Sequence, residues 1–155
     1  MTAPLDLSFD VACGRDQAFA TWTQRFSAWW PDDHTVTGDP ASVVLEPRLG
    51  GRIYERAQDG TEHEWGEVTV WEPPTRLCYL WHLMRERTDA TEVEIAFRAH
   101  GSGTRVEIEH RGWERLGADA DLWRTRNQVG WSTLLPHYVT AIENARMEQR
   151  GEDHG

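Results

Sequence analysis

The segment Pro47-Arg48-Leu49-Gly50-Gly51-Arg52-Ile53-Tyr54 places a glycine pair between two short apolar runs. A glycine pair in this setting is typical of a tight turn between strands. The segment belongs to an ordered series in which patterns typical of strands come first, and one long helix pattern that carries Trp131 comes last. This order predicts a sheet curved around a closing helix, with room for a small ligand between them.

The chain before this segment predicts one strand followed by one or two short helices. Leucine, phenylalanine and valine side chains alternate with polar ones between Leu5 and Val11, which is the period of a half-buried strand. From Arg15 the apolar residues fall three or four positions apart instead, as one face of a helix requires. Pro31 ends this helical pattern, because the residue before a proline is pushed out of the helical conformation.

Six further strand patterns complete an antiparallel sheet of seven strands. They lie at residues 43–45, 53–57, 63–71 and 77–83, and around residues 93–97 and 106–108. Because such a sheet must bury one face against the last helix, the fold class is α+β. We predict a single domain over residues 1–147 and a polar, disordered tail over residues 148–155.

The last helix is predicted to begin at Asp119 or Asp121 and to run to about Met147. An apolar arc and a polar start share one face of this helix. The apolar arc holds Trp131, Leu135, Tyr138 and Ile142, and the same sector extended backwards holds Arg124, Asn127 and, at its edge, Gln128. Either the helix start borders a hydrated opening, or the helix tilts so that the polar residues reach solvent. The sequence leaves both alternatives open.

Composition excludes several classes of function. The net charge of -10 repels phosphate backbones and anionic headgroups, so we expect neither nucleic acid nor membranes as partners. Lysine is absent, which excludes Schiff-base and P-loop lysine chemistry. Cys13 and Cys78 lie far apart in the sequence, without CxxC spacing, and signal neither a zinc site nor a disulfide framework. No cofactor is expected, and the predicted location is the cytoplasm.

Histidines are the strongest candidates for polar chemistry. His110 shares strand parity with Ile108, so it should point inward, where it is either a general base or a satisfied core histidine. His63 points away from its two flanking glutamates, which argues against a metal site there. Residues 32–34, Asp-Asp-His, are taken as a solvated loop, His82 as outward or at an edge, and His137 as exposed. No metal ligands or catalytic residues are assigned.

The nine tryptophans exceed what a chain of this length usually carries. Large aromatic rings more often fill a core than line a ligand cage, but several of these would converge on one cavity in a sheet that wraps a helix. Such walls favour flat ligands with an apolar body. Pro136 should bend the closing helix near residues 130–132.

The order of motifs resembles the SRPBCC or START-like superfamily, and within it the family related to the C-terminal domain of the activator of the heat-shock-protein-90 ATPase. The motifs that carry the resemblance are Phe26 to Pro31, Gly50 to Ile53, Trp65 to Val68 with Glu72 to Pro74, Leu77 to Trp81, Gly103 to Val106, His110 to Trp113, and Gly130-Trp131. The resemblance spans roughly residues 5–146. It implies a helix-grip fold with an apolar cavity between the sheet and the last helix.

The resemblance implies relatives that bind lipids, hormones or polyketides, some of which cyclise polyketides, so fold alone cannot name the function. Three hypotheses follow: a protein that binds a small hydrophobic or aromatic ligand; an enzyme of cyclase or hydratase type, with His110 as base; and a chaperone-associated or homodimeric interaction module. The ligand-binding hypothesis leads, and catalysis is the less favoured alternative. The predicted cavity residues are Trp29, Trp30, Tyr79, Trp81, Phe97, Ile108, His110, Trp113, Arg124, Asn127, Trp131, Leu135 and Tyr138.

Overall fold

One antiparallel sheet of seven strands forms the body of the molecule. The computed structural model describes residues 2–153, with the side chains of residues 2–148. The strand order is β1-β7-β6-β5-β4-β3-β2. The strands are β1 (Leu5–Val11), β2 (Ser42–Leu45), β3 (Arg52–Arg56), β4 (Glu62–Glu72), β5 (Arg76–Trp81), β6 (Thr91–His100) and β7 (Gly103–Arg111). The α+β helix-grip prediction is confirmed.

Three α-helices accompany the sheet, and the longest closes it. They are α1 (Arg15–Trp22), α2 (Phe26–Trp29) and α3 (Ala120–Asp153), and a 3-10 helix, Trp113–Asp119, leads into α3. The predicted short helices before β2 are therefore present. α3 continues past its predicted end near Met147, through part of the segment predicted to be disordered, and residues 154–155 lie outside the described residues. Within residues 2–153, no helix is both long and apolar enough to span a bilayer.

Glycines allow the close approaches that curve the sheet at β3 and β4. Gly50 has a φ of 78°, in the left-handed region that glycine adopts without strain. A side chain on Gly51 would collide with the carbonyl oxygen of Glu46, and one on Gly66 would collide with the carbonyl oxygen of Leu80. The pairing register shifts beside Gly66, which marks a bulge that bends β4. Both glycines of the pair in the opening segment are therefore required by backbone geometry.

Aromatic rings fill most of the space between the sheet and α3. The ring of Trp22 lies 4.9 Å from that of Trp29, 4.9 Å from that of Tyr138 and 6.0 Å from that of Trp131, measured between centroids. The hydroxyl of Tyr138 donates a hydrogen bond of 2.7 Å to the carbonyl oxygen of Ala18, which joins α3 to α1. The deep interior is therefore packed by the protein's own side chains.

Candidate functional site

A pocket of about 170 Å³ lies where the ends of α2 and β5 meet the first half of α3. Four indole rings form its walls, and we call it the aromatic pocket. The four rings belong to Trp30, Trp81, Trp123 and Trp131, and His34 and Asn127 line it as polar residues. The guanidinium groups of Arg85 and Arg126 lie 5.2 and 5.1 Å from the ring of Trp123, within the range of a cation–π contact.

The volume of the aromatic pocket limits what it can hold. An apolar cavity of roughly 150 Å³ is large enough for benzene. Complete drug-sized ligands occupy about 300–1,000 Å³. At about 170 Å³ the pocket has room for one ring or two fused rings. Any larger molecule must extend beyond it.

A second, larger depression adjoins the aromatic pocket and shares Met84 and Trp123 as walls. Its volume is about 690 Å³, and we call it the acidic groove. Five carboxylates, of Glu62, Glu64, Glu86, Asp89 and Asp119, line it together with Arg85 and Arg115. Met84 lines both spaces and is 61% exposed, so it lies at the boundary between them. Its φ is 67°.

His110 is fully buried behind the aromatic pocket, as its strand parity predicts. Its Nδ1 accepts a hydrogen bond of 3.1 Å from the indole N–H of Trp131, so its Nε2 carries the proton and donates to the hydroxyl of Thr91, 2.7 Å away. Burial and the nearby charge of Arg85 lower the pKa of His110 to about 3. His110 is therefore a neutral core histidine with both ring nitrogens occupied, which leaves no nitrogen for a general base.

Thr91 and Arg85 connect this histidine to the acidic groove. The hydroxyl of Thr91 donates to the carbonyl oxygen of Trp81 at 3.2 Å. Nη2 of Arg85 donates to the same carbonyl at 2.9 Å and to the Thr91 hydroxyl at 3.2 Å, and Nη1 donates to the carbonyl oxygen of Asp89. These bonds fix the end of β5, where Trp81 contributes one wall of the aromatic pocket.

A buried carboxylate holds the loop that covers the other side of the pocket. Glu55 on β3 is fully buried and accepts hydrogen bonds from the backbone N–H groups of Val36 and Thr37, from the Thr37 hydroxyl and from the indole of Trp65. The sequence analysis did not single out Glu55. The signal was present, because Glu55 lies two positions after the buried Ile53 and therefore shares its face of the strand.

The loop held by Glu55 brings a histidine–aspartate pair to the pocket. Nδ1 of His34 lies 2.7 Å from Oδ1 of Asp33, and the carbonyl oxygen of His34 accepts the indole N–H of Trp30 at 2.9 Å. The hydrogen bond to His34 lowers the pKa of Asp33. The expected solvated loop fits Asp33, whose side chain is 80% exposed, whereas the side chain of His34 is 24% exposed and the residue lines the aromatic pocket.

The structure brings four of the thirteen predicted cavity residues to the aromatic pocket: Trp30, Trp81, Asn127 and Trp131. Six others are buried in the packed interior and do not line it: Trp29, Tyr79, Phe97, Ile108, Trp113 and Tyr138. His110 lies behind Trp131, and Leu135 is half-buried against the core. Arg124 donates to the carbonyl oxygens of Ala3 and Pro4 instead of entering the pocket. Ligand contact by any of these residues stays a prediction.

Two other histidines test predictions of exposure, His137 on α3 and His82 after β5. His137 is exposed, as predicted. The prediction for His82 is wrong, since this residue is only 4% exposed. Strand β5 ends at Trp81, so the alternation no longer governs His82, and its ring lies 3.4 Å from a carboxylate oxygen of Glu64. Within the described residues, no three His, Cys, Asp or Glu side chains are grouped to hold a metal ion.

A sequence model of one family, described as Activator of Hsp90 ATPase homolog 1-like protein, matches residues 12–142. The chain belongs to this family. The match covers most of the chain and agrees with the helix-grip fold, so the predicted SRPBCC-type membership is confirmed. No curated protein matches the sequence at a significant level.

Solved structures of similar proteins include two at 30% identity or more. One is CalC from Micromonospora echinospora, a self-sacrificing resistance protein, with 30% identity over 92% of this chain and 95% of that chain and a TM-score of 0.70. The other is an anthrahydroquino-Gama-pyrone synthase in complex with SUM, with 35% identity over 77% of this chain and 82% of that chain and a TM-score of 0.56. CalU16, also from Micromonospora echinospora, has 22% identity over 97% and 84% and a TM-score of 0.63, which shows the fold alone.

Proposed function

We propose that this protein binds a flat aromatic small molecule, with one ring or two fused rings held in the aromatic pocket and the remainder lying in the acidic groove. The observation that carries the proposal is the pocket itself, with four indole walls around about 170 Å³. Indoles offer large, rigid apolar surfaces that favour planar partners. The family membership supports a ligand-binding domain, and the synthase among the similar structures acts on fused-ring compounds according to its name.

Polar groups at the pocket provide orientation. The amide nitrogen of Asn127 donates to the carbonyl oxygen of Trp123 at 2.9 Å, so its amide oxygen is the atom that a ligand hydroxyl would meet. Arg126 lines the same wall and offers donors to a ligand carbonyl. A few such groups in an apolar site are what fixes the orientation of a bound molecule. We therefore expect an aromatic ligand that carries hydroxyl or carbonyl substituents.

Calorimetric titration with β-naphthol tests this proposal, with cyclohexanol as a non-aromatic control. We expect β-naphthol to bind and cyclohexanol to bind at least tenfold more weakly. The decisive variant is Gly130→Leu, because Gly130 lines the pocket and a Cβ added there meets no atom within 4 Å. Its side chain should fill the pocket and abolish binding, whereas Thr125→Leu on an exposed position of the same helix should not. Equal affinity of the two variants for β-naphthol would overturn the proposal.

The interaction hypothesis gains no specific support from the described surface. Large exposed apolar side chains do not form one patch: Val36 and Met84 line the acidic groove, Leu49 lies at the turn before β3, and Leu122, Val129 and Met147 are spread along α3. Singly exposed apolar residues are normal on a soluble domain and do not mark an interface. A homodimer or a chaperone partner therefore stays a prediction, and we argue ligand binding as the function.

A further inference from the structure

The pair Asp33 and His34 stands at the aromatic pocket in the arrangement that activates a histidine for proton transfer. Asp33 Oδ1 and His34 Nδ1 are 2.7 Å apart, and the pKa of Asp33 is held low by this contact, so the carboxylate is ionised at neutral pH and accepts the bond. The ring proton of neutral His34 therefore lies on Nδ1, and Nε2 carries the lone pair. Asp33 also attracts the imidazolium that forms when the ring accepts a proton, and because the Asp33 side chain is 80% exposed, solvent screens this attraction.

The second ring nitrogen of His34 is available to a bound molecule. Within residues 2–148, where side chains are described, Nε2 of His34 makes no hydrogen bond, while Nδ1 is bound to Asp33. His34 lines the aromatic pocket together with Trp30, Asn127 and Arg126. A base must come within hydrogen-bond reach of the proton it removes, so the proposal requires a ring bound among the indoles to approach Nε2 of His34 this closely.

The loop that carries His34 is held in place at several points, which positions the ring. Trp30 binds the carbonyl oxygen of His34, and the hydroxyl of Thr35 donates to the carbonyl oxygen of Asp32 at 2.6 Å. Beyond them, Glu55 accepts the backbone N–H groups of Val36 and Thr37 from the interior of the sheet. A catalytic group must be held close to its working geometry by packing and by hydrogen bonds to its supports. This loop meets that requirement although most of it is exposed.

We propose that His34 is the general base and acid of a proton-transfer activity in the aromatic pocket, with Asp33 as its positioning residue. Nε2 removes a proton from an acidic O–H, or from a C–H beside a carbonyl, of a bound aromatic ligand, and the resulting imidazolium returns a proton to another atom of the same ligand. One C–H or O–H bond breaks and another forms, so the step needs no oxidant, reductant or second substrate. The assignment rests on the proposed ligand site and places the base at His34 rather than at His110.

Arg126 is the candidate electrostatic support for the anionic intermediate. Arg126 lines the same pocket and carries a fixed positive charge that an enolate or phenolate oxygen would meet. The amide nitrogen of Asn127 is already engaged with the carbonyl oxygen of Trp123, so Asn127 offers an acceptor and not a donor to the ligand. The charge that develops on the ligand oxygen is therefore assigned to Arg126. Preorganised charge of this kind is often the largest contribution to catalysis.

Nitrobenzisoxazole is a suitable test substrate, because it is a flat bicyclic molecule that opens when a base removes its single ring proton next to nitrogen. The C–H electron pair forms the carbon–nitrogen triple bond and the nitrogen–oxygen bond breaks. The ring-opened product is a coloured phenolate that carries the nitrile. We expect the wild-type protein to open this compound with saturation kinetics that β-naphthol inhibits competitively. His34→Gln should lower kcat at least tenfold with KM unchanged, and Asp33→Asn should lower kcat severalfold with KM unchanged.

A matched control uses His100, an exposed histidine at the turn between β6 and β7. His100→Gln should keep the wild-type kcat and KM. The proposal is overturned if His34→Gln retains the wild-type kcat, or if the wild-type rate equals that of free imidazole at the same concentration while β-naphthol still binds. If β-naphthol does not bind the wild-type protein at all, the proposed ligand site fails, and this inference fails with it. Circular dichroism of each variant confirms that the substitutions leave the fold intact.

Discussion

The indole N–H of Trp131 on α3 donates a hydrogen bond of 3.1 Å to Nδ1 of His110 on β7. This contact joins the closing helix to the sheet through two buried side chains, 4% and 0% exposed. It also occupies the histidine nitrogen that would otherwise accept a proton, and it fixes the wall of the aromatic pocket that Trp131 forms. One bond therefore serves the packing of the helix, the neutrality of His110 and the shape of the pocket.

Trp131→Phe should destabilise the fold more than the loss of ring area explains. The substitution leaves Nδ1 of His110 buried without a donor, which costs about 1–3 kcal/mol in the free energy of unfolding. Trp22→Phe is the matched comparison, because Trp22 is fully buried and its indole N–H has no hydrogen-bond acceptor among the described residues. Urea unfolding of both variants gives the difference. Equal losses would show that the Trp131 bond adds nothing to stability.

The low pKa of His110 predicts a loss of stability in mild acid. Burial lowers the pKa to about 3, whereas the unfolded value is 6.5. Between these values the unfolded chain binds a proton that the folded chain does not, so the free energy of unfolding falls by about 1.4 kcal/mol for each pH unit of acidification. The contribution is fully present above pH 6.5.

His110→Gln isolates this contribution, because glutamine stays neutral across the range. Urea unfolding measured in steps from neutral pH to pH 4 should show a shallower dependence on pH for His110→Gln than for the wild type. His100→Gln, which alters an exposed histidine, should keep the wild-type dependence. Parallel curves for His110→Gln and the wild type would contradict the burial of a neutral imidazole.

Glu55→Gln should weaken both the fold and the loop above the pocket. An amide nitrogen would face the backbone N–H groups that the carboxylate now accepts, so we expect a loss of about 1.5–3 kcal/mol in the free energy of unfolding. Amide hydrogen exchange at Val36 and Thr37 should accelerate. Glu107→Gln, at an exposed ion pair with Arg98, should change stability by less than about 1 kcal/mol. Unchanged exchange at Val36 in Glu55→Gln would show that the loop is held by other contacts.

Arg124 and Arg126 should differ in their effect on ligand affinity. Arg124 binds the backbone of Ala3 and Pro4, whereas Arg126 lines the pocket and lies over the ring of Trp123. We expect Arg124→Ala to leave β-naphthol affinity within twofold of the wild type. Arg126→Ala should weaken it by about two- to fivefold, because a hydrogen bond from the exposed guanidinium to the naphthol oxygen would contribute about 0.5–1 kcal/mol. Calorimetry measures the β-naphthol affinity of both variants. A larger effect of Arg124→Ala would place the ligand site beside the N-terminal segment instead.

Local patterns predicted the fold because they report on short stretches of chain. Alternation identified each strand of the sheet, and the glycine pair identified a turn that the backbone of Gly50 and Gly51 requires. The end of a strand is less certain from alternation. At His82 the pattern was continued past Trp81, where β5 ends, and the residue was placed outward although it is buried.

The site was harder to predict because it depends on how elements sit against one another. Helical periodicity put Arg124, Asn127 and Trp131 on one face, but it does not fix the tilt of α3, and Arg124 meets the N-terminal segment instead of the pocket. The buried Glu55 was missed because a charged residue in a strand is usually assumed to face solvent. The volume left between aromatic rings follows from their packing, which no pattern in the sequence specifies.

Nuclear magnetic resonance of the tryptophan indole N–H groups tests the central claim most directly. The protein has nine tryptophans, and titration with β-naphthol reports on each indole separately. We predict shifts concentrated on the four wall residues, Trp30, Trp81, Trp123 and Trp131, with the remote Trp71 signal unmoved. Signals that stay in place at saturating β-naphthol, or shifts confined to tryptophans outside the pocket, would contradict the account.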